Sequence, residues 1–242
     1  MISKSLKILC AAAALSALAL SSALANPSIA VDVATGKVYS AQDPFQRWYP
    51  ASLTKMMTAY VTFRALQSGQ LTLESPVKMT VNASKEPPSK MGYRPGSVLT
   101  LDNALKIMLV KSANDVSVAV AEAVGGSEAA FVKRMNAEAQ RIGMSGSHFA
   151  NPNGLHDPNN YSTAHDLAVL GVQLRREFPQ YAHYFNTEAI DAGDGKKPQA
   201  NYNILLGRFD GADGMKTGFV CASGFNLASS ATRQGRTILA VV

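Results

Sequence analysis

The sequence predicts an α+β fold: an antiparallel sheet formed from both chain ends, with helical cover and an all-helical subdomain inserted between the two sets of strands. Three observations lead there. Side chains alternate with period two near the beginning, over 29–34 and 37–41, and again at the end, over 216–221, 224–231 and 236–242. From Ser52 to about Arg176 the apolar period is instead close to 3.6. No repeat, linker or low-complexity tract divides the chain, and 242 residues at 47% hydrophobic and 17% charged suffice for one well-buried unit, residues 26–242.

In chain order, 29–34 is β-branched, Thr35-Gly36 is a turn signal and 37–41 alternates again, which makes an opening hairpin. Leu53, Met56, Met57, Tyr60, Val61 and Phe63 or Arg64 then follow a period near 3.6 in a helix that starts at Ser52 and ends near Gly69. Residues 77–81 have strand character. Residues 82–96 contain Pro87, Pro88, Gly92, Pro95 and Gly96 and read as a long loop, a kind of segment that is often functional. Residues 102–110 and 116–124 are apolar almost all round, as helices central to a helical layer are, and they break at Ser112-Ala113-Asn114. The amphipathic helix 128–142, stopped by Gly143, is expected to cover those two. After a stretch rich in Asn, Pro and Gly, Ser162-Thr163 caps a helix to about Arg176, with Asp166 spaced to close a capping box.

Charge and composition exclude several function classes. The formal charge of +6 is spread along the chain, and Arg175-Arg176 and Lys196-Lys197 lack the basic and aromatic neighbours of a nucleic-acid face, so they read as solvated surface. Cys10 and Cys221 are the only cysteines and the four histidines are scattered, so neither a disulfide framework, a metal nor a cofactor is expected. Residues 1–25 read as a secretory signal peptide: Lys4 and Lys7 precede an apolar stretch, 8–20, and Ala23-Leu24-Ala25 supplies small residues for cleavage before Asn26. The uninterrupted apolar run is shorter than the about 20 residues of a membrane span. Cys10 lies inside it behind the large Ile8 and Leu9, unlike a lipid-attachment cysteine. The expectation is an exported protein of the periplasm or the outer face of the cytoplasmic membrane, with a charge of +4 after loss of Lys4 and Lys7.

A serine hydroxyl needs a neighbouring base to become a nucleophile, and Ser52-Leu53-Thr54-Lys55 puts a lysine one helical turn from a serine. A helix N-terminus also presents backbone N–H groups to a developing oxyanion. For Lys55 to act as a base it must be neutral, which desolvation and a second cation favour, and Lys216 is a candidate for that cation. By itself S-x-x-K arises by chance about once in a chain this long. Ser75 to Lys78, with Pro76 between, is such a match. Ser112-Ala113-Asn114 by itself reads equally as a helix cap, and Lys216-Thr217-Gly218 as an edge lysine before a glycine kink.

In this order and on these elements, S-x-x-K, S-x-N and K-T-G resemble the signature set of the penicillin-recognising serine enzymes. The wording ASLTKMMT (51–58), KSAND (111–115) and GMKTGF (214–219) is similar to the low-molecular-mass penicillin-binding proteins, serine-type D-Ala-D-Ala carboxypeptidases, as is NGLHDPNNYSTAHDLA (153–168). The resemblance implies a DD-peptidase/β-lactamase-like fold and an attack by Ser52 on the penultimate D-alanine carbonyl of a peptidoglycan stem pentapeptide, with Lys55 as base and Ser112 as proton relay. It further implies that Asn114 holds the substrate amide, that Lys216 and Thr217 bind the terminal carboxylate, and that Gly218 permits close backbone approach. The oxyanion hole would be the backbone N–H groups of Ser52 and Phe219, and β-lactams would acylate Ser52 as covalent inhibitors. A class A β-lactamase adds a glutamate in its connecting loop, absent between Asn151 and Asp166. A non-catalytic β-lactam sensor or wall-binding module is the other alternative. The family's further basic residue beyond the last strand, its closing helix and its anchor do not lie before Val242, so one sheet face is expected to be partly bare and residues 26–242 less soluble than a form extended by such a helix.

Overall fold

The computed structural model describes residues 26–191 and 197–242; the signal-peptide reading of 1–25, Cys10 and Lys196 lie outside the described residues. The chain opens with strands β1 (Ser28–Asp32) and β2 (Val38–Gln42), followed by a 3₁₀ turn, Ala51–Leu53, that runs into α1 (Thr54–Gln67). Strand β3 (Pro76–Lys78), a single helical turn α2 (Val81–Ser84) and β4 (Val98–Thr100) precede α3 (Leu101–Val110), α4 (Asn114–Gly125) and α5 (Glu128–Arg141). Helix α6 (Ala164–Glu177), the short α7 (His183–Asn186) and the strands β5 (Ala189–Ile190) and β6 (Gln199–Ala200) lead back to the long strands β7 (Ala212–Val220), β8 (Gly224–Arg233) and β9 (Arg236–Val241).

The main sheet has the order β2-β1-β9-β8-β7 and is antiparallel throughout, so both chain ends build it. The pleat puts Ile29, Val31, Ala228, Leu239 and Val241 on the buried face, where α6 packs across β1 and β9. The two layers approach closely at Gly171, where a Cβ would stand 2.6 Å from Leu239 Cδ2. Helix α4 is the centre of the helical layer, with Asn114 to Ala121 all buried.

The structure departs from the sequence reading in five places. The insert is helical except for two short ladders, β3 with β4 and β5 with β6. The strand at 77–81 ends at Lys78, because Thr80 Oγ1 accepts from Ala83 N and caps α2 inside the expected loop. Helix α5 packs on α4 and α1 rather than on α3. Thr163 does cap α6, accepting from Asp166 N, but the Asp166 carboxylate turns to Gly146 N and Ser147 Oγ at 2.8 and 2.7 Å instead of closing a capping box. Strand β7 begins four residues before Lys216, held by pairing with β8 as far as Ala212↔Ala231.

Candidate active site

Ser52 sits in the 3₁₀ turn just ahead of α1, two residues before the regular helix begins. Ala51 is in the left-handed region, φ 49°, which swings the turn into a cleft between the sheet and the helical layer. Lys55 follows on the same side, its Nζ 2.9 Å from Ser52 Oγ, and is wholly buried. The same Nζ lies 2.9 Å from Asn114 Oδ1 and 2.5 Å from the carbonyl oxygen of Asn153. As an ammonium it donates to all three; as a neutral amine it donates to the two carbonyl oxygens and keeps its lone pair for the serine O–H. Burial, and then the nearby Lys216, hold the Lys55 pKa well below the ordinary lysine value, against the opposing charges of Glu86 and Asp115. The surroundings therefore favour the neutral form that can accept the serine proton.

The S-x-N segment enters from the α3–α4 junction. Ser112 is buried with φ 59°, and its Oγ accepts from Lys216 Nζ at 2.9 Å. Asn114 is no cap for α4, whose N-cap is Ala113; its Oδ1 faces Lys55 and its Nδ2 donates to Pro87 O at 3.0 Å. One further N–H of that amide remains for a ligand. Lys216 is only 2% exposed, which rules out the solvated edge lysine, and burial pulls its pKa down to about 7. Thr217, Gly218 and Phe219 continue along β7, the last strand of the sheet, whose unpaired edge faces the Ser52 turn. Gly218 is needed there: a Cβ would stand 2.8 Å from Ser52 N. Gly154 closes from the other side, where a Cβ would stand 1.9 Å from Ala51 O.

A cavity of about 700 Å³ takes in Ser52, Ser112, Asn114, Thr217, Gly218 and Phe219. Leu155, Tyr202, Ile204 and Phe225 add apolar wall that the motifs do not contain. Ser75 and Lys78 take no part: Ser75 Oγ accepts from Thr72 N in a surface turn, and Lys78 is exposed on β3. Sequence reasoning missed Asn153 as a partner of Lys55, and with it Glu86, whose Oε2 accepts from Asn153 Nδ2 at 2.8 Å. Only the polar composition of 151–154 and the length of the 82–96 loop hinted at either.

A serine hydroxyl beside a buried lysine, in a cleft walled by a free strand edge, is an arrangement able to carry out acyl transfer through the serine. The chain belongs to the peptidase S11 family, D-alanyl-D-alanine carboxypeptidase, whose model matches residues 13–242. D-alanyl-D-alanine carboxypeptidase DacF of Bacillus subtilis is 32% identical over 220 residues, 90% of this chain and 57% of that protein. DacA of Haemophilus influenzae is 36% identical over 212 residues, 86% of this chain and 53% of that protein. The chain thus spans a little over half the length of these curated relatives. Penicillin binding protein 5 of Haemophilus influenzae superposes with a TM-score of 0.85 at 34% identity, over 90% of this chain and 64% of that one. Penicillin-Binding Protein D2 of Listeria monocytogenes, solved in its cefotaxime-bound form, gives 0.80 at 26% identity, over 90% and 88%.

Proposed function

We propose that this chain is a serine-type D-alanyl-D-alanine carboxypeptidase that removes the terminal D-alanine from peptidoglycan stem pentapeptides through an acyl-enzyme on Ser52. The observation that carries this is the 2.9 Å separation of Ser52 Oγ from the Nζ of a lysine with no access to solvent. An extended peptide adds along the free edge of β7, its terminal carboxylate at Lys216 and Thr217 and an acyl-side carbonyl at the spare N–H of Asn114. Ser52 loses its proton to Lys55 as Oγ bonds to the penultimate carbonyl carbon, and the Ser52 and Phe219 N–H groups take the oxyanion. The C–N bond breaks, the amine of the departing D-alanine receives the proton through Ser112, and water hydrolyses the ester. A β-lactam acylates Ser52 by the same first step. The composition of 1–25, with Lys4 and Lys7 ahead of an apolar stretch and small residues at 23–25, supports an exported enzyme acting in the periplasm or at the outer face of the cytoplasmic membrane.

Incubation with a labelled penicillin and with a D-Ala-D-Ala peptide tests the assignment. Ser52→Ala is expected to abolish labelling and D-alanine release, and Ser75→Ala to leave both intact; label retained by Ser52→Ala sinks the proposal. Slow hydrolysis of the penicilloyl-enzyme is expected beside faster release of D-alanine, whereas rapid benzylpenicillin turnover without D-alanine release would indicate a β-lactamase.

A further inference from the structure

The two carbonyl oxygens that receive the Lys55 protons are both held by one short stretch of the 82–96 loop. Pro87 O accepts from Asn114 Nδ2 at 3.0 Å and Ser89 O accepts from Asn114 N at 2.7 Å, while Glu86 Oε2 accepts from Asn153 Nδ2 at 2.8 Å. Asn153 is 2% exposed, and its own Oδ1 accepts from Leu155 N, so its side chain pins the backbone carbonyl that lies 2.5 Å from Lys55 Nζ. The loop is fixed to α4 by the Asp115 carboxylate, which accepts from Met91 N and Gly92 N. Among the described residues Glu86 is the carboxylate hydrogen-bonded to Asn153, and Asn153 is the link to the lysine.

We propose that Glu86 is a positioning residue for acylation, acting on Lys55 through Asn153; the proposal rests on Ser52 as nucleophile and Lys55 as its base. Its effect is twofold. Its hydrogen bond fixes the Asn153 carbonyl, which orients the amine toward Ser52 Oγ. Its charge favours the protonated amine, together with Asp115 on α4 and against Lys216 on β7. Glu86 in turn faces Asn153, Lys55, Asp115 and, from α5, Glu128; burial first and the Glu128 carboxylate second raise its pKa above the usual carboxylate range. Neither Glu86 nor Asn153 lines the cavity, so Glu86 acts through the lysine and not on the substrate.

The test is the pH dependence of the second-order rate of Ser52 acylation by a fluorescent penicillin, in the whole chain, for wild type, Glu86→Gln and Glu86→Ala. Glutamine keeps an acceptor for Asn153 and removes only the charge. Lys55 then holds its proton less tightly, so the acid limb of the profile is expected to move to lower pH by roughly half a unit to one unit. Alanine removes the acceptor as well, so the same limb shift is expected together with a plateau lowered roughly tenfold. Each rate is normalised to the fraction of protein that labels at completion, and thermal melting reports folding separately. Variants that melt earlier but keep the wild-type limb, or a limb displaced upward, overturn the proposal and leave Glu86 as a loop anchor. Failure of the wild type itself to be acylated overturns instead the functional reading on which the proposal rests.

Discussion

Among the described residues Lys216 Nζ has only Ser112 Oγ and Thr217 O as hydrogen-bond partners, and it has almost no access to water. Its pKa is therefore about 7 in the folded chain and returns to the ordinary 10.5 on unfolding. Between those values the unfolded chain binds a proton that the folded chain has shed, so the contribution of Lys216 to stability rises with pH across that window. It is lost as pH falls toward 7, with a limiting slope of about 1.4 kcal/mol per pH unit. Lys216→Met removes that slope. Chemical denaturation at pH 7 and pH 9.5 is expected to show the methionine variant gaining most at pH 7 and keeping only about a third of that advantage at pH 9.5. An advantage independent of pH would mean that Lys216 keeps its charge throughout. At this scale the sequence made Ser52, Lys55, Ser112, Asn114 and Lys216 legible because each lies in a short motif with a local geometric meaning. Glu86 and Asn153 were hidden, since residues 67 positions apart meet only when the loop folds over α4.

Elements matter to the site chiefly through how close they come. The 3₁₀ turn bearing Ser52 is held between β7 at Gly218 and the connecting segment at Gly154, and each contact leaves no room for a Cβ. The two glycines differ in kind. Gly154 has φ 83°, so a side chain there is strained as well as crowded against backbone, and Gly154→Ala is expected to cost several kcal/mol of stability. Gly218 has no such conformational need; Gly218→Ala pushes β7 away from Ser52 N, and acylation by penicillin is expected to slow about a hundredfold with a fold that still melts cooperatively. Wild-type acylation by Gly218→Ala, set beside an unchanged melt, would show that turn and strand can separate without consequence. Element type was legible where a 3.6 periodicity ran for ten residues or more, as in α1 and α5, where an apolar run was too long for a strand, as in α4, and where a cap announced the start, as in α6. It failed at short elements set by single hydrogen bonds: the Thr80 cap that opens α2, and Asp166, which tertiary partners at Gly146 and Ser147 draw away from its own helix.

For the whole molecule the decisive feature is that the sheet has two different faces and two different edges. One face is closed by α6; on the other, Leu227, Ala231, Ile238 and Ala240 are only partly covered, while Phe225 and Val242 are 81% and 48% exposed. The segment around Leu205 and Phe209 shelters one corner, where these residues frame a second cavity with Ala231, Ile238 and Ala240. Edge β2 is exposed along its full length, whereas edge β7 is turned toward Ser52. The union of both chain ends in one sheet was legible in the alternating patterns at 29–41 and 216–242. Strand order was not, because nothing local says that β9 lies between β1 and β8. An apolar outer face beside an open edge favours self-association and binding of apolar probes. Residues 26–242 are therefore expected to enhance the fluorescence of an anilinonaphthalene sulfonate dye and to sediment partly as oligomers at high concentration. Ile238→Lys with Ala240→Lys is expected to reduce both several-fold. These positions lie outside the cavity that contains Ser52, so penicillin acylation is expected to continue at the wild-type rate. Dye binding that survives the double substitution would place the sticky surface elsewhere, on the exposed Phe219–Phe225 pair of the β7–β8 hairpin. A wild-type chain that neither binds dye nor associates would mean that the outer face is closed in solution.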